Sequence, residues 1–502
     1  MINRSQLRSI LLLGTVACAA VVVTSAARIS AQQRTLPYDL LQSREQLQAL
    51  RQAWNEKLPY VPGEVLVKFR DGVEAAGRVR ALSATRGGIE ERNARWIGDV
   101  LWVRADGEPD AVQLAAVLGR QPEVAWAQPN YFRRTSARPN DPEYAELQWN
   151  FDLIEMPRAW DVNQGSNDSM IVAIVDSGVT TVTQSFPFPL WTGQRIETVS
   201  VPFRVSPDLS TSRILPGRDF IFWTGPVLDM DGHGTHVAGT ALEETNNNQS
   251  LAGIAYRAKL LPVKVCVGYW EIQIATSAAG IPGFVDPEEE NGGCSDAAIA
   301  QGIRYAADNG AQVINMSLGG PGQSPALREA LTYAVGRGSF VSISIGNEFE
   351  DGNPVEYPAA YAEQIEGVMS VGAVGRNSTR AFYSNTGSHL EIMAPGGNPR
   401  DGGDTGFVWQ MMMFPPDFDP FDVIRPRFDR YTEVGSVGTS MASPHVAGVA
   451  ALLHTQGINQ PDAIEAAIKR FATDLGAAGR DNDYGFGLVN ARNTLRGFGA
   501  AR

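Results

Sequence analysis

Apolar positions along the chain change their spacing twice. Over 36–60, Leu40, Leu47, Leu50 and Trp54 recur at helical intervals and the segment runs into a proline-flanked turn at Pro59 and Pro62, which predicts a lead-in helix. Next, Glu64-Val65-Leu66-Val67-Lys68-Phe69 alternates with the period of two of a half-buried strand. A second strand around 100–103, a helix over 110–118 and a strand over 124–127 complete a small α/β unit. Residues 133–142 are basic, polar and proline-containing, as in an exposed, cleavable linker.

From about 149 onward the pattern becomes continuous apolar runs alternating with helical segments. Strands are predicted at 170–175, 259–267, 311–316, 340–345, 367–374 and 390–393, with helices at 233–243, 296–309, 325–335, 443–454 and 463–471. Strands without a polar face need cover on both sides, so the expected architecture is a parallel sheet between helical layers. In such sheets ligands collect beyond the carboxyl ends of the strands. Two stretches, 180–217 and 396–433, break the alternation and are expected as surface insertions near the cleft; the second carries Met411-Met412-Met413 and several aspartates. No internal repeat is found, and with the last helix running almost to Arg502 no accessory C-terminal domain is expected.

Composition narrows the setting. The 502 residues exceed the roughly 100 to 200 of a common single domain, and the apolar share of 43% is that of a globular protein. A net charge of -13 without a basic face argues against nucleic acid as a partner and favours bound cations. Arg4 and Arg8 precede an apolar stretch over 10–23 and the small residues Ser25, Ala26 and Ala27, the pattern of an export signal cut between 27 and 32. That stretch is shorter than the roughly 20 residues a spanning helix needs, so no stable membrane insertion is expected. Cys18 leaves with the signal, and in an oxidising compartment the remaining pair, Cys266 and Cys294, is expected to form a disulfide across a Gly-, Pro- and Glu-rich loop.

Three motifs carry the chemistry: Val175-Asp176-Ser177-Gly178, Asp231-Gly232-His233-Gly234-Thr235-His236-Val237-Ala238-Gly239-Thr240 and Gly438-Thr439-Ser440-Met441-Ala442-Ser443-Pro444-His445. A serine hydroxyl needs a base to remove its proton during attack, and the base needs a carboxylate to orient it and to stabilise the imidazolium. Asp176 ends an apolar strand, His233 opens a helix between glycines, and Ser440 begins a helix whose N-terminus favours developing negative charge. His236 is expected to be structural. The His233-x-x-His236 spacing is one residue shorter than the zinc-protease His-Glu-x-x-His and lacks its glutamate, and the order Asp, His, Ser differs from that of α/β-hydrolases.

Together, from about 149 to 493, these motifs closely resemble the subtilisin-like serine proteases. The resemblance implies a three-layer α/β fold with a mainly parallel sheet, and a secreted endopeptidase acting on proteins and peptides through Asp176, His233 and Ser440. Ser344-Ile345-Gly346-Asn347-Glu348 matches the family's oxyanion segment, with Asn347 as donor. Ser317-Leu318-Gly319-Gly320 resembles its substrate-binding strand, to which Ser344 and Gly346 are added, and a broad preference for apolar side chains before the scissile bond is expected. Residues 61–131 resemble the family's inhibitory propeptide, a small ferredoxin-like α/β domain, at 61–69 and 126–131. Structural calcium is implied at Asp208 and Asn247, with Asp141 as a third contributor. The expected organisation is signal peptide 1–31, lead-in helix 32–60, propeptide 61–132, linker 133–142 and peptidase domain 143–502, in a monomeric zymogen inhibited by its own propeptide. The rival expectation is a scaffold that keeps the fold without activity.

Overall fold

A computed structural model describes residues 44–56, 58–85, 89, 94–105, 110–132, 138–222, 225–285, 293–413 and 425–497. The expected signal peptide and most of the expected linker lie outside these residues. The chain divides at 135/136 into two compact units.

The first unit begins with helix α1 (Arg44–Asn55), followed by β1 (Tyr60–Phe69), α2 (Ala75–Leu82), β2 (Arg95–Ile97), β3 (Val100–Arg104), α3 (Ala111–Gly119) and β4 (Val124–Tyr131). All sheet pairings are antiparallel in the order β2-β3-β1-β4, so the two central strands are separated in sequence by a βαβ-type excursion, the ferredoxin-like arrangement. Alternation along β1 buries Val65, Val67 and Phe69 against Leu114 and Leu118 of α3. The side chain of Asp110 caps α3 by accepting from the N–H groups of Val112 and Gln113 at 2.9 and 3.1 Å. Of the apolar positions expected to recur along α1, Leu50 is half-buried and Trp54 exposed. Ala49 and Ala53 are buried while Trp54 is 64% exposed, because close packing of a helix takes small side chains.

The second unit is built on seven parallel strands: β5 (Ile171–Asp176), β8 (Arg218–Asp219), β9 (Lys259–Lys264), β10 (Val313–Met316), β11 (Phe340–Ser344), β12 (Val368–Val374) and β13 (Ile392–Pro395). Their order is β13-β12-β11-β10-β5-β9-β8. Successive residues of β5 face opposite layers. Val172 and Ile174 meet α4 (His233–Leu242), α8 (Thr439–Thr455) and α9 (Pro461–Arg470), whereas Ala173 and Val175 meet α6 (Asp296–Asp308) and α7 (Pro325–Gly336). Burial on both faces is why these strands read as uninterrupted apolar runs.

The stretches expected as surface insertions have their own order. Residues 180–217 hold a hairpin of β6 (Gln184–Trp191) and β7 (Ile196–Phe203), and 396–433 contribute β14 (Val408–Met413), paired with β15 (Tyr431–Ser436). The loop expected between the cysteines contains helix α5 (Tyr269–Ala278). These pieces share a minor core in which Leu190, Phe203, Trp270, Ile274, Met413 and Phe428 are buried together. Phe203 and Phe428 stack with ring centroids 4.9 Å apart.

Candidate functional site

β5 lies where the sheet order reverses, with β9 on one side and β10 on the other, so a crevice opens beyond its carboxyl end. Asp176 closes that strand and is 1% exposed. The chain then turns through Ser177 and Gly178, whose φ of +112° belongs to glycine, and a Cβ at Gly178 would stand 2.9 Å from the Leu228 carbonyl oxygen. A Cβ at Gly234 would collide with the Gly178 carbonyl, so this pair of glycines lets the first turn of α4 approach the end of β5.

That approach sets His233 Nδ1 2.7 Å from Asp176 Oδ1. With Nδ1 carrying the proton, Nε2 is left with a free lone pair. The imidazole side chain is 33% exposed, opening to a cleft of about 580 Å³ that Asp176, His233, Ser317, Gly319 and Gly320 help to line. Burial pushes the His233 pKa down, but the negative charges of Asp176, Asp231 and Asp229 outweigh it and raise the group to about 9. His236 is buried with Nε2 3.1 Å from the Val434 carbonyl oxygen, and burial lowers its pKa to about 4, a structural placement.

Ser440 stands in the first turn of α8 after Gly438. It is held by a reciprocal pair of bonds: Ser317 Oγ donates to the Ser440 carbonyl at 2.8 Å, and Ser440 Oγ donates to the Ser317 carbonyl at 3.3 Å. The hydroxyl therefore rests on the substrate-strand segment rather than on His233; such bonds often tighten only when substrate is present. Asn347, in the turn after β11, has its carboxamide oxygen accepting from the Thr439 N–H at 2.8 Å and the Thr439 hydroxyl at 3.0 Å. This orients the amide so that its Nδ2 is available as a donor. A Cβ at Gly438 would lie 3.6 Å from the Ser440 backbone nitrogen and 3.7 Å from Asn347 Nδ2, so the two nitrogens border one small space beside Gly438.

The remaining expected positions are also placed. Ser317, Leu318, Gly319 and Gly320 line the cleft, although the Leu318 side chain packs into the core beneath α7. Ser344 and Gly346 are buried at the end of β11. Cys266 and Cys294 are joined by a disulfide and face each other across a short antiparallel ladder at the cleft edge. Asp141, Asp208 and Asn247 come together far from β5. Asp141 accepts from the N–H groups of Asn246 and Asn247 at 2.9 and 3.2 Å, and Asn247 Nδ2 donates to Asp208 Oδ1 at 2.6 Å. Burial raises the Asp208 carboxyl to about 7, with Asp141 and Glu244 adding negative charge. Among the described residues no three His, Cys, Asp or Glu side chains form a metal cluster.

Several supporting residues escaped sequence reasoning. Asp229, fully buried, accepts from Ser177 Oγ at 3.1 Å, the Gly232 N–H at 2.9 Å and the Thr235 N–H at 3.0 Å, and so ties the Asp176 turn to the His233 turn. Lys264, opposite Asp176 in the ladder and 1% exposed, donates to the Ser177 carbonyl and to Glu271 Oε1. Ser443 Oγ reaches Asn315 Oδ1 at 2.8 Å and anchors α8 to β10. The available signal was a lone polar residue inside an apolar run, as at Lys264 and Asn315, whose buried group needs a partner.

Comparison with known proteins accounts for both units. Residues 167–487 match the model of the subtilase family, and 47–130 match that of the fervidolysin N-terminal prodomain. A thermophilic serine proteinase of Bacillus sp. (strain AK1) is 31% identical over 88% of this chain and 89% of its own. Thermitase of Thermoactinomyces vulgaris is 32% identical over 71% of this chain and 99% of its own. A solved structure of a protease from Pseudoalteromonas arctica is 28% identical with a TM-score of 0.53, covering 73% of this chain and 100% of that one. The chain is thus a member of the subtilase family, a subtilisin-like serine peptidase with an N-terminal prodomain.

Proposed function

We propose that the protein is a secreted endopeptidase, made as a self-processing zymogen, in which Asp176, His233 and Ser440 hydrolyse peptide bonds through an acyl-enzyme. The observation that carries this reading is the 2.7 Å bond from His233 Nδ1 to a buried Asp176, which leaves Nε2 as the base beside a cleft. In the proposed reaction Ser440 Oγ leaves Ser317, passes its proton to His233 Nε2 and attacks the scissile carbonyl. The Ser440 N–H and Asn347 Nδ2 donate to the oxyanion as it forms, and their preset positions lower the barrier without reorganisation. His233 then returns the proton to the leaving amine, and a water activated by the same imidazole releases the acyl group. The prodomain serves as intramolecular inhibitor in this reading, and peptides and proteins are the substrates.

The reading includes structural calcium. Two buried carboxylates, Asp141 and Asp208, come together around Asn247, whose Nδ2 donates to Asp208, and burial first, then the charges of Asp141 and Glu244, make the ionised Asp208 costly, a cost that a hard cation would relieve. Calcium there would supply the counter-charge.

Casein hydrolysis with and without a serine-directed inhibitor tests the activity. The parent digests casein and loses activity on inhibition, whereas Ser440→Ala is inert at every enzyme concentration. A folded parent without activity would favour the scaffold.

A further inference from the structure

Glu356 is 6% exposed and sits in a short strand paired with the substrate-strand segment, Gly320 opposite Tyr357 and Pro321 opposite Glu356. Its carboxylate reaches the back of two glycines: a Cβ would stand 2.9 Å from Glu356 Oε2 if built on Gly319 and 2.8 Å if built on Gly346. Gly319 lines the cleft and Gly346 adjoins Asn347, so this oxygen lies behind bare backbone between the substrate strand and the oxyanion donor. The side-chain partner of Glu356 is another acid, Glu348, whose Oε2 also accepts from the Asn347 N–H at 2.6 Å. No cation figures among the influences on Glu356; burial first, then the bond to Glu348 and its charge, raise it to about 8. The arginines that reach the 349–350 stretch engage other groups: Arg400 pairs with Glu350 and lies over Phe382, and Arg380 lies over Phe349.

A buried carboxyl whose side-chain partner is another acid is a costly arrangement, and a cation delivered from outside would relieve it. The absence of a side chain at Gly319 leaves the way open from the cleft. We propose that Glu356, backed by Glu348, forms the acidic end of the pocket for the substrate side chain preceding the scissile bond, so that the enzyme cleaves after lysine or arginine. The inference rests on the cleft being the substrate site of the protease proposed above, and it replaces the apolar preference expected from the sequence. The missing signal was spatial: Glu356 lies 36 to 39 positions beyond the Ser317–Gly320 segment, and only the pairing of Pro321 with Glu356 brings them together.

The test expresses parent, Glu356→Gln and Glu348→Gln as the full chain, lets each mature, and follows hydrolysis of three tetrapeptide anilides that differ only in the last residue, arginine, lysine or phenylalanine. The parent should cleave the cationic substrates with kcat/KM about 10- to 100-fold above phenylalanine, the range for a charge-assisted contact. Glu356→Gln should lose most of that ratio while phenylalanine cleavage stays within about 3-fold, and Glu348→Gln should lose a smaller part of it. A parent that prefers phenylalanine, or a Glu356→Gln enzyme that loses all three substrates alike, overturns the assignment and makes the pair structural. A parent inactive on all three overturns the protease reading as well. If Glu356→Gln does not fold, the parent's own ratio decides.

Discussion

Against the lowering effect of burial, three carboxylates favour the charged form of His233, and two of them, Asp229 and Asp231, take no part in the proposed chemistry. Asp231, an exposed residue, accepts from the His233 N–H at 3.0 Å, which sets its charge beside the imidazole. The base acts only when neutral, and a pKa raised from 6.5 to about 9 means that kcat/KM climbs as pH rises through the alkaline range. By the same shift, the imidazolium adds stability that is complete below the unfolded pKa and is lost as pH rises through about 9. Asp231→Asn removes one raising charge, so the acid limb of the pH profile of kcat/KM should move to lower pH by about half a unit or more. An unmoved limb would show that Asp231 does not set the base. The catalytic residue types were legible because each sits in a local motif. Asp229, Asp231 and Thr439 were not singled out, since their work is to hold neighbours through bonds that sequence spacing does not display.

At the scale of elements, the central strands were legible because burial on both faces leaves an apolar run, as in β11 and β12, whose residues are all buried. The β6–β7 hairpin was not, because Pro187 and Pro189 interrupt β6 and prolines normally exclude a strand from a sheet interior. A two-stranded ribbon tolerates them, since each strand has a free edge. Helix α2 was hidden by Gly77 and by arginines on a short segment, and edge strand β8 is only two residues long. Helix α5 was masked by the composition of the cysteine loop. It is held at its start by Glu271, which accepts from the Gly268 N–H at 2.9 Å and bonds the buried Lys264, and along its length by Trp270 in the minor core. The disulfide closes this segment across 28 positions. In the chain-entropy account, whose mechanism is model-dependent, removing it costs roughly 3 to 4 kcal/mol. A Cys266→Ser, Cys294→Ser double variant should therefore unfold at clearly lower urea than the parent in equilibrium melts, and a coincident midpoint would contradict a stabilising role for the bond.

At the scale of the whole molecule, the chain carries a net charge of -13. The Asp141, Asp208 and Asn247 cluster joins three distant stretches of the second unit. Because the Asp208 carboxyl is raised from 3.8 to about 7, its contribution without a cation is present at low pH and is lost as pH rises through about 7. Calcium should reverse that loss. At pH 8 the melting temperature should rise by several degrees in millimolar calcium, fall on chelation and respond far less in Asp208→Asn; equal responses in parent and variant would place calcium elsewhere. The central claim concerns the chain as a zymogen that acts on itself. Its most direct test is the intact mass of the chain lacking 1–31, followed over time beside Ser440→Ala. The account predicts that the parent sheds its first unit by a cut between 130 and 140 while the variant keeps its full mass, and processing of both chains alike, or of neither, would contradict it.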